Sequence, residues 1–128
     1  MAEYNLFITN TTRTKVPVLP FATLKEAVLG KEYELSLVFV GEAKIKELNL
    51  AYRDKDMPTD ILSFTLSDTS GEIFICPSQA EKKSTEFDRD SNNFLQFLFI
   101  HGMFHLKGME HGSTMEKAEK KIREKFDL

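Results

Sequence analysis

Cysteine is nearly absent from this chain of 128 residues, in which Cys76 is the single thiol. One cysteine cannot form an internal disulfide, which favours a reducing compartment, so we expect a cytoplasmic protein. Long apolar runs are also missing, since no stretch approaches the roughly 18 to 20 residues that a membrane span requires. Residues 1–4 do not combine a basic region with an apolar run, so we expect no signal peptide.

An excess of positive charge is lacking as well. The formal net charge is −3, which is not the strongly basic balance that announces a nucleic-acid-binding protein. Any contact with RNA or DNA must therefore come from a local patch. The candidate patches are Arg13 and Lys15, Arg53 and Lys55, Lys82 and Lys83, and Lys107.

The chain shows neither an internal repeat nor a low-complexity linker, and its length suits one hydrophobic core. Short apolar or β-branched runs predict strands at residues 4–9, 34–40, 61–66 and 72–76. Helical spacing predicts helices at residues 20–29, 42–52, 78–87, 92–107 and 114–126. Residues 1–128 should thus form a single α+β domain, with a small mixed β-sheet packed against helices.

Local signals refine these elements. The turn composition of residues 67–71 predicts a hairpin or a pair of neighbouring strands, and Pro20 should lie near the first turn of the first helix. Apolar residues cover most of the circumference of residues 92–107, so we expect a central buried helix. Ser113, followed three residues later by Glu116, predicts a capping box for the last helix.

All three histidines lie between positions 101 and 111. His101 and His105 occupy one face of the predicted buried helix, with Cβ atoms roughly 6 Å apart, which suits two imidazoles on one ion. A continuous helix would turn His111 about 120° away from that face. Gly108 can adopt the left-handed conformation that ends a helix and reverses the chain, which would let His111 reach the same ion.

Three histidines leave one position of a tetrahedral zinc ion open, as in catalytic sites. The alternative is that they are ordinary core or surface residues, but unpaired imidazoles in an apolar helix would each cost free energy. The spacing matches the metzincin protease motif H-E-x-x-H-x-x-G-x-x-H. In this chain Gly102 replaces the glutamate that serves as the general base, which decides against a peptidase.

Two segments resemble the YbeY family of metal-dependent endoribonucleases. The first is LNLAYRDKDMPTDILSF at residues 48–64, followed by Gly71-Glu72-Ile73, and the second is residues 101–111. The size also fits, so the resemblance covers essentially the whole chain. The chain departs from the usual family residues at four positions that preserve charge or bulk and leave substrate detail open: Thr65 for Pro, Glu72 for Asp, Phe104 for Leu and Glu110 for Asp.

The resemblance implies that His101, His105 and His111 bind one zinc ion per chain, and that Arg53 is the essential basic residue beside it. It further implies single-strand-specific cleavage near the 3′ end of 16S ribosomal RNA. A role in ribosome quality control and contact with the small ribosomal subunit are implied in the same way.

A role for Arg53 can also be argued from its side chain, independently of the resemblance. A planar guanidinium can hold phosphate oxygens and stabilise charge that develops at phosphorus. From the residues alone, an ordinary surface arginine is the more common case. Asp60 and Ser63 could line the cleft, or Asp60 could only cap or brace a strand. Cys76 is expected to be a small buried residue. Residues 116–125 are expected to form a solvated helix face.

Two other functions stay open. One is a ribosome-assembly factor whose zinc is mainly structural, and the other is a zinc hydrolase of another substrate. The open coordination position and Arg53 favour hydrolysis. The acidic net charge and the absence of an obvious general base count against a strong free-standing nuclease.

Overall fold

A computed structural model of the chain describes residues 5–128, along which four strands and five helices follow one another. The strands are β1 (Leu6–Asn10), β2 (Glu34–Phe39), β3 (Ile61–Ser67) and β4 (Ser70–Ile75). The helices are α1 (Phe21–Leu29), α2 (Glu42–Arg53), α3 (Pro77–Glu86), α4 (Ser91–Leu106) and α5 (Ser113–Lys125). None of these helices in the described part of the chain is long and apolar enough to cross a membrane.

The strands form one mixed sheet in the order β1-β2-β4-β3. β2 runs parallel to both β1 and β4, and β3 pairs with β4 in antiparallel orientation. This arrangement confirms the predicted α+β class and the predicted hairpin. The parallel neighbours of β2 require long connections: the chain reaches β2 from β1 through α1, and it reaches β4 from β2 through α2 and β3.

The core lies between the sheet and α4. β2 alternates buried and partly exposed residues, as expected for a strand with one face in the core. α4 is covered by β3 and β4 and also by α1, α3 and α5, which explains why its sequence is apolar around most of its circumference. Its fully buried side chains include Phe99, Ile100 and Met103. Cys76 is buried in a smaller cluster, as predicted.

Most predicted elements agree with the observed ones to within two residues. The first predicted strand begins at Tyr4, which lies outside the described residues, and β1 extends to Asn10. Pro20 is the N-cap of α1. The predicted capping box of α5 is wrong, because Gly112 is the N-cap and makes no side-chain cap bond. Ser113 is already the first helical residue, so its side chain lies one position too far along the chain to cap the helix.

Candidate metal centre

α4 presents two histidines on one face near its C-terminal end. The helix begins at its N-cap Asp90, whose side chain accepts a hydrogen bond from the backbone N–H of Asn93 at 2.8 Å. His101 and His105, one turn apart, have ring centroids separated by 4.7 Å. Their Nε2 atoms are 3.2 Å apart. Two ring nitrogens so close together face the same point, as two ligands of one cation would.

The helix ends in a Schellman motif around Gly108. The backbone N–H of Gly108 donates to the carbonyl oxygen of His105 at 2.9 Å, and that of Met109 donates to Phe104 at 3.2 Å. Gly108 has a φ of 85°, in the left-handed region that favours glycine. The predicted reversal of the chain at Gly108 is therefore confirmed.

This reversal brings His111 back to α4. Its ring centroid lies 5.0 Å from that of His101 and 4.5 Å from that of His105. One ring nitrogen from each of the three histidines lies within 4.8 Å of the others. The predicted convergence of the three imidazoles is confirmed. His111 is exposed and the other two are half-buried, so the cluster is open to solvent on one side.

A buried carboxylate, which the sequence analysis missed, supports the cluster. Glu119 of α5 is 4% exposed, and its two carboxylate oxygens lie 3.1 and 3.2 Å from Nδ1 of His101. Arg123 lies 3.8 Å from the same carboxylate. The prediction that residues 116–125 form a solvated face is thus wrong at Glu119. The available signal was its position one helical turn after the buried Met115.

These contacts fit a bound metal ion. When Nδ1–H of His101 donates to Glu119, its Nε2 keeps a lone pair that faces His105. Burial of the ring, with smaller effects of His101 and His111, lowers the pKa of His105 and favours the neutral form that can ligate a metal. Three imidazoles with one orienting carboxylate form a donor set that suits zinc.

Arg53 lies at the C-terminal end of α2 and is exposed. Its Nη2 donates to the carbonyl oxygen of Ser63 at 3.2 Å. The Ser63 hydroxyl donates in turn to the carbonyl oxygen of Gly102, which follows His101 in α4, at 3.3 Å. Two hydrogen bonds thus connect Arg53 to the turn of α4 that carries His101. Among the described contacts none joins Arg53 directly to a histidine.

Asp60 precedes β3 and is buried. Its carboxylate lies 3.6 Å from the ammonium group of Lys83, and it accepts a hydrogen bond from the Thr59 hydroxyl at 3.3 Å. These partners brace Asp60, and Asp60 also lines the cavity that His101 and His111 border, so the structure is consistent with both of its predicted roles. Ser63 contacts α4 rather than projecting freely into solvent, so it belongs to the connection between Arg53 and the histidines.

Gly102 occupies the position at which metzincin proteases carry their glutamate. A Cβ atom there would lie 2.9 Å from both Cδ1 of Ile61 and Oγ of Ser63. Neither distance is tolerated without movement of β3 side chains, so a glutamate would disturb the contact between α4 and β3. The close approach of these two elements therefore favours a residue without a side chain at position 102.

Comparison with known proteins gives a consistent result. A family model described as Endoribonuclease YbeY matches residues 8–127, a range that contains all the residues of the metal centre. A protein of Finegoldia magna named endoribonuclease YbeY is 38% identical over 103 residues, which cover 75% of this chain and 67% of that one. Its namesake from Oceanobacillus iheyensis is 37% identical over 120 residues, which cover 82% and 76% of the two chains.

The fold has a solved counterpart. The solution structure of TM1509 from Thermotoga maritima matches 91% of this chain and 85% of its own, with a TM-score of 0.67 and 30% sequence identity. The family match and the fold match therefore each extend over most of the chain.

Proposed function

Because this chain belongs to the YbeY endoribonuclease family, we propose that it is a zinc-dependent endoribonuclease that hydrolyses phosphodiester bonds in single-stranded RNA. The observation that supports this most strongly is the convergence of His101, His105 and His111, whose ligand atoms lie within 4.8 Å of one another. We further propose that its substrate is the 3′ region of 16S ribosomal RNA, and that it acts on the small ribosomal subunit in the cytoplasm, with a role in ribosome quality control.

The three histidines would hold the ion, and Glu119 would hold the first of them in place. A zinc ion in such a site supplies Lewis acidity for phosphoester hydrolysis. The contribution of Glu119 is to keep the proton of His101 on Nδ1, so that Nε2 stays available as a ligand. The lowered pKa of His105 acts in the same direction, because a protonated imidazole cannot ligate.

Arg53 would bind the phosphate that is to be cleaved. Its guanidinium is exposed, and one of its N–H groups is already held by the Ser63 carbonyl oxygen. The remaining N–H groups can donate to two phosphate oxygens at once. A fixed cation of this kind stabilises the negative charge that grows on the phosphate oxygens in the transition state.

A catalytic role for the metal is favoured over a purely structural one by the exposure of the site. His111 is exposed, and His101 and His105 are only half-buried, so an RNA strand can reach the ligands. A structural zinc site is typically closed by four protein ligands. In the described part of the chain, the cluster that can hold a metal consists of three histidines.

The proposal is tested with purified protein and a 16S ribosomal RNA precursor that extends beyond the mature 3′ end. We expect the zinc-loaded protein to cleave single-stranded segments near that end and to spare a matched RNA duplex. A chelator should stop cleavage, added zinc should restore it, and His105→Ala should be inactive under both conditions. Cleavage by His105→Ala at the wild-type rate would overturn the proposal of a metal-dependent nuclease. Cleavage of the duplex at the same rate as the single strand would overturn the proposed single-strand specificity.

A further inference from the structure

A cavity of about 680 Å³ lies directly beside the metal centre. His101 and His111 form part of its wall, and another part is formed by Phe87, Phe94 and Phe97, which lie at the end of α3 and along α4. Its volume falls within the range of roughly 300 to 1,000 Å³ that is usual for small-ligand sites. The metal and phosphate chemistry proposed above leaves this space unused.

One ring in the aromatic wall of the cavity is partly exposed to solvent. Phe87 is 51% exposed. Its ring centroid lies 5.3 Å from that of Phe94 and 5.8 Å from that of Phe97, and these two rings are stacked on each other. The guanidinium groups of Arg89 and Arg123 lie 4.6 and 5.0 Å from the centre of the Phe97 ring. Phe87 is therefore backed by a fixed group of rings, which makes it a platform on which a flat ligand can stack.

Cationic and acidic side chains nearly balance around the cavity. Its lining includes four cations and three carboxylates: Lys83, Lys117, Lys120 and Arg123, against Asp60, Glu116 and Glu119. Lys83 is 3.6 Å from Asp60, and Arg123 is 3.8 Å from Glu119, so these cations are matched by carboxylates. On α5, Lys120 lies 3.9 Å from Glu124, and Lys117 is offset by the neighbouring Glu116, so the side chains around the cavity are close to neutral overall. A bound metal ion would therefore decide the sign of the charge beside the cavity and would favour an anionic ligand such as an RNA strand.

We infer that this cavity binds a nucleobase of the RNA strand next to the phosphate at the metal centre, with the base stacked on Phe87. The inference rests on the proposed function, which supplies the RNA and fixes its phosphate beside the cavity. Scattered exposed hydrophobic residues are common and need no explanation. Phe87 differs from these because it lines a cavity whose wall also includes two of the three clustered histidines.

The chain contains no tryptophan, so the fluorescence of one introduced tryptophan can report on this site. Phe87→Trp places the indole in the cavity wall. Phe7→Trp is a matched control, because Phe7 is 50% exposed and lies on β1, at the opposite edge of the sheet from β3. The probes are a uridine hexamer and an abasic hexamer with the same backbone. Both are mixed with zinc-loaded protein in stopped flow, so that fluorescence is read before cleavage accumulates.

We expect the uridine hexamer to quench Phe87→Trp and the abasic hexamer to leave it unchanged, with neither probe affecting Phe7→Trp. Equal quenching by both hexamers would overturn the inference, because it would show contact with the backbone alone. Absence of quenching in Phe87→Trp, at hexamer concentrations that saturate the protein, would overturn it too.

Affinity gives a second, independent readout. A base stacked on an aromatic ring contributes about 1 to 3 kcal/mol, and each 1.4 kcal/mol is about tenfold in affinity. Phe87→Ala and Phe87→Leu should therefore bind the uridine hexamer at least about fivefold more weakly, while their affinity for the abasic hexamer stays at the wild-type value. Phe7→Ala should match wild type for both probes. Wild-type affinity for the uridine hexamer in Phe87→Ala would contradict the inference.

The two proposals fail in different ways. Cleavage of RNA without a base-dependent signal at position 87 would overturn the nucleobase site and leave the nuclease standing. A base-dependent signal without cleavage would support the nucleobase site and remove the nuclease.

Discussion

The proton on each imidazole decides whether the three histidines can act together as ligands. Glu119 determines the position of the proton on His101, since the carboxylate lies within 3.2 Å of Nδ1 and is almost completely buried. His101 then offers only Nε2 to a metal. The support of a ligand by a buried carboxylate is a common feature of zinc sites, and its loss typically weakens metal binding about 10- to 100-fold.

Glu119→Ala should therefore lower zinc affinity by about 10- to 100-fold. Glu119→Gln should lower zinc affinity by a smaller factor, because its amide oxygen can still accept the hydrogen bond from Nδ1–H of His101. Some affinity should still be lost, because the amide carries no charge. Competition with a chromophoric chelator measures both affinities. Glu124→Gln, an exposed residue on the same helix, provides the control and should bind zinc like wild type. Unchanged zinc affinity in Glu119→Ala would show that Glu119 only fills space in the core.

Arg53 should matter for cleavage and not for metal binding. Guanidinium has no lone pair to give a cation, so Arg53→Ala should retain full zinc content and the wild-type thermal midpoint. Its single-turnover cleavage should fall by about 10² to 10³, the usual effect of removing one preorganised charge stabiliser. Arg53→Lys should recover only part of the rate. Retained cleavage in Arg53→Ala would remove Arg53 from the mechanism, and lost zinc would give it a structural role instead.

The pKa of His105 predicts how acid affects the metal-free protein. Burial, with its histidine neighbours, lowers this pKa in the folded state below the ordinary value of about 6.5. Below pH 6.5 the unfolded chain thus takes up a proton that the folded chain resists, so stability falls as the pH decreases further. Thermal midpoints of wild type and His105→Gln are compared between pH 7.5 and 5.5. Wild type should lose stability relative to the variant, and a constant difference between the two would contradict the shift.

At the scale of elements, the end of α4 determines where His111 lies. A Cβ atom at Gly108 would meet no heavy atom within 4 Å, so a substitution there is limited by the backbone and not by space. The left-handed φ of 85° is adopted readily by glycine and less readily by asparagine. It is unfavourable for all other residues.

We expect Gly108→Val to lower the free energy of unfolding by about 1 kcal/mol or more and to weaken zinc binding, because the strained turn displaces His111. Gly108→Asn is the matched control, since asparagine tolerates the left-handed region, and it should lie between wild type and Gly108→Val. Denaturant unfolding and zinc competition measure the two effects. Wild-type stability and affinity in Gly108→Val would show that the chain does not need this turn.

The same element shows what sequence patterns can and cannot predict. The histidine spacing and Gly108 were sufficient for the three-ligand cluster, because helical periodicity and a left-handed glycine are local properties. Glu119 was missed because its burial depends on how α5 packs against α4, and a charged residue in a lysine-rich helix resembles a solvated one. The capping box failed by one residue, which is the usual uncertainty at a helix end.

At the scale of the whole molecule, local patterns predicted the number and kind of elements but not the order of the strands. Alternation identifies the buried face of β2, yet nothing in its own sequence states that β4 rather than β3 is its neighbour. That pairing places β3 at the sheet edge, where it contacts α4 and accepts the hydrogen bond from Arg53. The connection between Arg53 and the histidines therefore depends on long-range topology.

The central claim, that three histidines hold one metal ion for RNA cleavage, is tested most directly by titrating metal-free protein with zinc. Bound zinc and the initial rate of cleavage are measured on the same samples. We predict no cleavage without metal, a rate that rises in proportion to bound zinc, and a plateau at about one zinc per chain. Full cleavage by the metal-free protein, or a plateau of the rate while the histidine site is still empty, would contradict the claim.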